Sequence, residues 1–80
     1  MSASAEIKPL EEGLFVLEKT RQLGRMTTAI LAHAPDWNRV KAWRYLEVLA
    51  RGGWLDKIER GRTTEYVLGP KFLEMADISL

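Results

Sequence analysis

The chain has 80 residues, of which 46% are hydrophobic and 29% charged, and it contains no cysteine. This length predicts one small domain with a modest core, and the composition is typical of a folded protein. Because disulfides and thiolate metal sites are excluded and His33 is the single histidine, we expect neither a metal nor another cofactor. The longest apolar run, residues 14–17, is far shorter than the roughly 20 residues that cross a bilayer. Residues 1–8 do not resemble a signal peptide, so we expect a cytoplasmic protein without membrane contact.

Positive charge is concentrated in the middle of the chain. Residues 21–66 hold nine basic and five acidic side chains, a net charge of +4, whereas residues 1–20 carry −2 and residues 67–80 carry −1. A nucleic-acid binder needs a local basic patch rather than a large overall charge. Surface charge scattered without function would give a similar count, so the distribution favours nucleic-acid binding without establishing it.

We predict a flexible tail over residues 1–8 and one folded domain over residues 9–80. The tail has small polar residues and no hydrophobic periodicity. The domain begins with a helix over residues 9–23, because proline suits the first turn of a helix and Gly24 suits its left-handed C-cap.

The first predicted helix has an apolar stripe and one aromatic residue outside it. Leu10, Leu14 and Leu17 share one side of a wheel drawn at about 100° per residue, with Gly13 and Val16 beside them, so we expect this side to face the core. Phe15 falls among polar residues on another side. It either lies under the N-terminal tail or takes part in a weak homodimer, for which the C-terminal helix is the other candidate surface.

Two further helices are predicted on either side of a tight corner. The shorter covers residues 28–34, has Thr27 or Thr28 as its N-cap, and ends before Pro35, since proline disfavours helical geometry in the residue before it. The longer covers residues 38–51, with Asn38 at its N-cap and two glycines after it.

The longer helix has an apolar side and a basic side. An apolar side that fixes the helix to the body, with a basic side opposite, is typical of a recognition helix in the major groove. A solvated helix with ordinary surface charges is the alternative. The apolar side comprises Ala42, Trp43, Leu46, Leu49 and Ala50, and the outer side comprises Lys41, Arg44, Val48 and Arg51. We also expect Trp37 in the core.

A β-hairpin with a basic tip is predicted after the glycines. Alternating residues indicate strands over 54–59 and 64–68, and Gly61 in the turn can adopt a positive φ. Leu55, Tyr66 and Leu68 are expected to face the core. A last amphipathic helix over 71–78, with Phe72, Met75 and Ala76 on one face, closes the core or contacts a partner.

Four short segments share their order and residue types with one known family. They are GLFVLE at 13–18, MTTAILA at 26–32, GWL at 53–55 and YVLGPKFLEM at 66–75. They resemble the opening helix, the L-T-x-x-E-[IL]-A segment, the G-[YF]-L entry to the wing and the Y-x-L-G-x-[RK]-[LF]-x-x-[LM] exit of one domain. That domain is the N-terminal DNA-binding domain of the IclR-type transcriptional regulators. The resemblance covers residues 10–75.

The resemblance implies a mainly α-helical fold with a small β-hairpin, a winged helix-turn-helix with a three-helix core and a C-terminal helix. It also implies a regulator of transcription. A stand-alone module of this size would suit a compact repressor, a regulator from a phage or other mobile element, or a cofactor that uses the fold to bind protein. Ile30 stands where the family usually has glutamate, and residues 35–38 replace its T-G-L-P turn. Family members carry an effector domain after the wing, whereas this chain ends at Leu80, so we expect no small-molecule effector.

The expected partner is double-stranded DNA, with the recognition helix over residues 38–51 in the major groove and the wing over residues 57–64 on the backbone. Arg39, Lys41 and Arg44 are expected to enter the groove, and Arg44 suits a two-pronged contact with guanine. Val40 and Lys41 replace small hydroxyl residues of the family, so its base preference does not carry over. The predicted DNA-binding residues are Thr27, Thr28, Asn38, Arg39, Val40, Lys41, Arg44, Tyr45, Lys57, Arg60 and Arg62.

Protein interaction and catalysis are the two other classes of function on which the sequence bears. A protein-interaction module that does not bind DNA is the alternative, because winged helices often bind partners and Phe15, Val48 and Trp54 are candidate contacts. An enzyme is not expected. His33 has no serine, cysteine or carboxylate pair at a spacing that would form a catalytic site.

Overall fold

The computed structural model describes the backbone of residues 2–79 and the side chains of residues 10–75. This part of the chain is mainly helical with a two-stranded antiparallel sheet, which confirms the coarse prediction of fold class. No helix in it is long and apolar enough to cross a membrane. The elements are α1 (Ser2–Leu23), α2 (Thr28–Ala32), α3 (Arg39–Arg51), β1 (Leu55–Arg60), β2 (Thr63–Leu68) and α4 (Pro70–Ser79).

Helix α1 starts earlier than the sequence predicts. It begins at Ser2, so the predicted tail over residues 1–8 is helical from its second residue onward. Alanine and glutamate are good helix formers, and they occupy several positions of this segment. The C-terminal end agrees with the prediction, because Gly24 has a φ of 83° and its N–H donates to the Thr20 carbonyl at 2.8 Å.

The two helices at the corner have the predicted N-caps. The Ile30 N–H donates to Thr27 Oγ1 at 3.1 Å, and the Lys41 N–H donates to Asn38 Oδ1 at 2.9 Å. Helix α2 ends at Ala32, two residues before the predicted end at residue 34. The chain then reverses at Asp36, which has a φ of 66°, a conformation that aspartate tolerates better than most residues.

The hairpin has a two-residue loop and a third extended segment beside it. Register runs from Leu55 opposite Leu68 to Arg60 opposite Thr63, and Gly61, with a φ of 59°, takes the loop position that favours glycine in type II′ turns. Met26 and Tyr66 exchange backbone hydrogen bonds of 2.7 and 2.8 Å. The link between α1 and α2 therefore anchors the hairpin to the helices.

The core lies where α1, α2, α3 and the hairpin meet. Its position confirms the inward orientation of Leu55 and Tyr66, whereas Leu68 and Phe72 are half-buried against it. Met75 is exposed, and the side chain of Ala76 lies outside the described residues. The buried hydrophobic residues are Val16, Leu17, Met26, Leu31, Ala42, Leu46, Leu55 and Tyr66.

The buried side of α1 differs in part from the predicted one. Leu10 and Leu14 are 68% and 56% exposed, so the prediction that they face the core is wrong. Val16 and Leu17 are buried, as predicted. Thr20, which was not predicted in the core, is also fully buried, and its hydroxyl donates to the Val16 carbonyl at 2.7 Å. This local hydrogen bond satisfies the buried hydroxyl and lets a polar residue occupy the core.

Three aromatic side chains join α1, the corner and α3. Phe15 stacks on Trp37 with 5.8 Å between ring centroids, and Trp37 meets the Tyr45 ring edge-on at 5.1 Å. Phe15 is thus half-buried against the corner, which corrects its predicted place on the solvent side of α1 or under a tail. Trp37 is half-buried, and Trp43 is 52% exposed, so the core position predicted for Trp43 is wrong.

Candidate nucleic-acid interface

The first half of α3 presents an exposed surface next to the start of α2. Val40 is 61% exposed, and Arg39 and Arg44 are also exposed. Trp43 and Thr28 line a shallow depression together with Arg39 and Val40. Residues from both helices of the corner therefore share one surface, and Trp43 belongs to it.

On the first half of α3 and at the hairpin tip, four arginines are exposed without an ion-pair partner, and Arg51 at the end of α3 is a fifth. Arg39 and Arg44 lie on α3, and Arg60 and Arg62 lie at the hairpin tip. Among the side chains of residues 10–75, none of the four takes part in an ion pair. Their guanidinium groups are free to bind phosphate or a base edge, for which the planar fork of arginine is well suited.

Lys41 and Tyr45 are turned toward α1 rather than outward. The Lys41 ammonium pairs with Glu12 and lies 4.6 Å from the Trp37 ring centroid, and the Tyr45 hydroxyl donates to Glu12 at 2.8 Å. Burial, together with the bond to the Glu12 carboxylate, raises the pKa of Tyr45 to about 12. These two predicted DNA contacts instead join α3 to α1.

Lys57 is held against α3 by Glu47, which is not among the predicted site residues. Glu47 accepts hydrogen bonds from the Tyr66 hydroxyl at 2.6 Å and from the Lys57 ammonium at 2.9 Å. These two bonds lower the pKa of Glu47, and the bond to Glu47 raises the pKa of Lys57. Burial and the same carboxylate raise the pKa of Tyr66. A lone glutamate on an otherwise basic helix is the sequence signal that could have indicated this contact.

The hairpin tip extends beyond this contact. Lys57 is opposite Tyr66, and Arg60 is opposite Thr63 at the end of the ladder. At about 3.3 Å per residue, the tip lies about 10 Å farther along the strands than the Lys57 pair. The Thr63 hydroxyl donates to the Arg60 carbonyl at 2.9 Å and closes the turn between the two tip arginines.

The predicted DNA-binding residues divide into three groups by their surroundings. Thr28, Arg39, Val40, Arg44, Arg60 and Arg62 lie on the exposed surfaces described above, Thr27 and Asn38 cap helices, and Lys41, Tyr45 and Lys57 contact carboxylates within the chain. No protein-family model, curated protein or solved structure matches this chain.

Proposed function

We propose that this protein is a winged helix-turn-helix module that binds double-stranded DNA and regulates transcription. The element order supports the fold, since a winged helix also has a helix, a short extended segment, two helices and a hairpin. The observation that carries the function is the set of unpaired, exposed arginines on both α3 and the hairpin tip. The IclR-type motifs and the positive charge of residues 21–66 favour the same function.

In this proposal α3 lies in the major groove with its first half against the bases. Arg44 and Arg39 bind base edges, with guanine as the preferred partner of a bidentate arginine. Val40 and Trp43 supply apolar contact to thymine methyl groups or to sugars. The tip arginines, Arg60 and Arg62, bind phosphates beside the groove and fix the orientation of the module.

Glu47 is the one carboxylate of α3, and it would repel phosphate if it were unpaired. Its bond to Lys57 offsets that charge. We therefore assign Lys57 an indirect role, which is to neutralise the Glu47 carboxylate and to hold the hairpin beside α3. Phosphate binding falls to the arginines farther along the hairpin.

The test is a titration of labelled random-sequence duplex DNA, followed by fluorescence anisotropy at several salt concentrations. We expect log K to fall linearly with log salt, and each phosphate contact to contribute about −0.9 to the slope. The Arg60→Gln/Arg62→Gln variant should reduce the slope by about 2 and weaken all sequences alike. After selection of a preferred sequence, Arg44→Gln should lower specific binding by about 1 to 3 kcal/mol.

Arg21→Gln is the matched control, because Arg21 is exposed but already paired with Glu18 on α1. It removes one positive charge, as Arg44→Gln does, and should leave the slope unchanged. A loss in the control half as large as the loss in the hairpin double variant would show that only net charge matters. Affinity weaker than millimolar with a flat salt slope would contradict the proposal outright.

Protein interaction is a second candidate function, and an apolar groove between α1, α3 and α4 favours it. Leu10 and Leu14 form one wall, Val48, which is 64% exposed, lies on α3, and Met75 lies on α4. The groove has a volume of about 390 Å³. We propose weak homodimerisation through this face. Phe15, the other candidate on α1, is half-buried and stacks on Trp37. Sedimentation should detect a dimer that Leu14→Glu dissociates, and a monomer at high concentration would contradict it.

A further inference from the structure

A second groove lies between the C-terminal half of α1 and α2, on a different set of residues from the candidate DNA-binding surface. Its floor is formed by Met26 and Leu31, which are both 1% exposed. Phe15, Leu23 and Ile30 form its sides, and its volume is about 330 Å³. None of the four exposed, unpaired arginines lines it.

The sides of this groove are incompletely covered. Leu23 is 55% exposed and Ile30 is 41% exposed, although both are large apolar residues. Covering such side chains releases about 25 cal/mol for each Å² of apolar surface removed from water. Ile30 is also the position at which this chain departs from the glutamate of the IclR-type pattern, so an apolar residue stands where that pattern has a charged one.

Lys19 supplies positive charge to the lining of this groove. Lys19 and His33 are the ionisable residues among those that line it. Both are exposed, and neither forms an ion pair with a carboxylate in the described part of the chain. The Lys19 ammonium lies 5.9 Å from the Phe15 ring centroid, so the positive charge is directly beside the apolar surface.

We propose that this groove binds an amphipathic acidic peptide segment of a partner protein. Apolar side chains of the segment cover Leu23 and Ile30, one of its carboxylates pairs with Lys19, and another accepts a hydrogen bond from the His33 imidazole. A peptide fits better than a free small molecule, since small-molecule sites bury most of the ligand surface and the sides of this groove are open to solvent. The proposal does not depend on DNA binding, because it uses a separate set of residues.

The test uses two labelled amphipathic peptides as probes. Both have leucines at helical spacing, and the remaining positions are glutamate in one peptide and lysine in the other. At low salt we expect the acidic peptide to bind about tenfold more tightly or better, with the difference decreasing as salt screens the charges. Amide shift changes should fall on α1 and α2 around Leu23 and Ile30.

Variants separate this groove from the arginine surface. Ile30→Glu, which introduces a good helix former, should weaken binding of the acidic peptide about tenfold or more. Leu73→Glu, at an exposed apolar residue outside the groove, should not weaken it. The double variant Lys19→Glu/His33→Glu should reverse the preference between the peptides. Arg44→Gln should leave peptide binding unchanged while it weakens DNA binding.

Three results would overturn the proposal. Equal affinity for the two peptides would show that charge does not contribute to binding. Amide shift changes confined to α3 and the hairpin would show that the peptide binds the arginine surface instead. A dimer that Ile30→Glu dissociates would assign the groove to a second copy of this chain. DNA binding by the Ile30→Glu variant is measured as well. If it is retained, any of these three results counts against the peptide groove and not against the proposed DNA-binding function.

Discussion

The Tyr66 hydroxyl donates a 2.6 Å hydrogen bond to Glu47, and this bond joins the hairpin to the middle of α3. The Tyr66 residue is 1% exposed, so its ring belongs to the core while its hydroxyl reaches the edge of the candidate interface. Lys57 binds the same carboxylate at 2.9 Å. A core residue, an α3 residue and a β1 residue thus share one contact, which joins the hairpin to α3.

Replacing Tyr66 with phenylalanine should destabilise the domain by about 1 to 2 kcal/mol, because it removes a hydrogen bond to a charged group. Glu47→Gln should cost less, since the amide oxygen can still accept from the hydroxyl. The double variant should lose less stability than the sum of the losses in the two single variants. Urea unfolding of the wild type, the two single variants and the double variant measures this coupling. Strict additivity would show that the two side chains do not interact.

Glu47 should also give the domain a pH-dependent stability at acidic pH. Its folded pKa lies below the ordinary value of 4.5 because Tyr66 and Lys57 donate to the carboxylate. The stabilisation is therefore fully present above the unfolded pKa and is lost as the pH falls through the lower folded pKa. Melting temperatures from pH 7 down to pH 2 should show a smaller acid-induced decrease in Glu47→Gln than in the wild type. Parallel curves would contradict this assignment.

The two tyrosines should resist ionisation in the folded protein. Tyr45 and Tyr66 both donate to glutamates and are shielded from water, and the pKa of Tyr45 is raised to about 12 from its ordinary 10. The neutral form is favoured by folding, so this stabilisation is present below pH 10 and is lost as the pH rises toward 12. Ultraviolet titration should show little tyrosinate near pH 10 in native protein and half-ionisation there in urea. Glu12→Gln should lower the pH at which the Tyr45 hydroxyl ionises.

Gly69 should not tolerate a side chain, although its neighbourhood contains no charged group. A Cβ there would lie 2.9 Å from the Leu55 nitrogen and still nearer to the Gly53 carbonyl oxygen, and both are backbone atoms. Gly69→Ala should therefore destabilise the domain by about 3 kcal/mol.

Gly13→Ala is the matched control for this change. Apart from the adjoining residues and backbone of α1 itself, no atom lies within 4 Å of a Cβ at Gly13, so alanine should stabilise the helix by about 0.5 to 1 kcal/mol. Thermal unfolding of both variants measures the contrast. A loss below about 0.5 kcal/mol in Gly69→Ala would show that the backbone there moves aside at little cost.

The predictable parts of the fold are those that depend on neighbouring residues. Thr27 and Asn38 cap helices through bonds three residues along the chain, and Gly61 satisfies a local turn, so the sequence indicates all three. Which side of α1 is buried depends on how α3 and the hairpin pack against it, and a single-helix wheel does not contain that information. Leu10 and Leu14 were assigned to the core for this reason.

The candidate site was predictable to the same extent. The exposed arginines follow from the wheel of α3 and the turn of the hairpin, whereas Lys41 and Tyr45 are bound to Glu12, which lies far from them along the chain. Trp43 lies at the edge of the apolar arc, where hydrophobicity alone favours burial. For Lys41, Tyr45 and Trp43, the sequence indicates the helix that carries the side chain but not the direction in which the side chain points.

The composition of β1 has a consequence for colloidal behaviour. The strand reads LDKIER, and within the described sheet it pairs with β2 on one side only, which leaves its other edge open. Open edges can recruit strands from other molecules and start aggregation, and charged side chains oppose that recruitment. We therefore expect Asp56, Lys57, Glu59 and Arg60 to oppose strand pairing between hairpins of different molecules at high protein concentration.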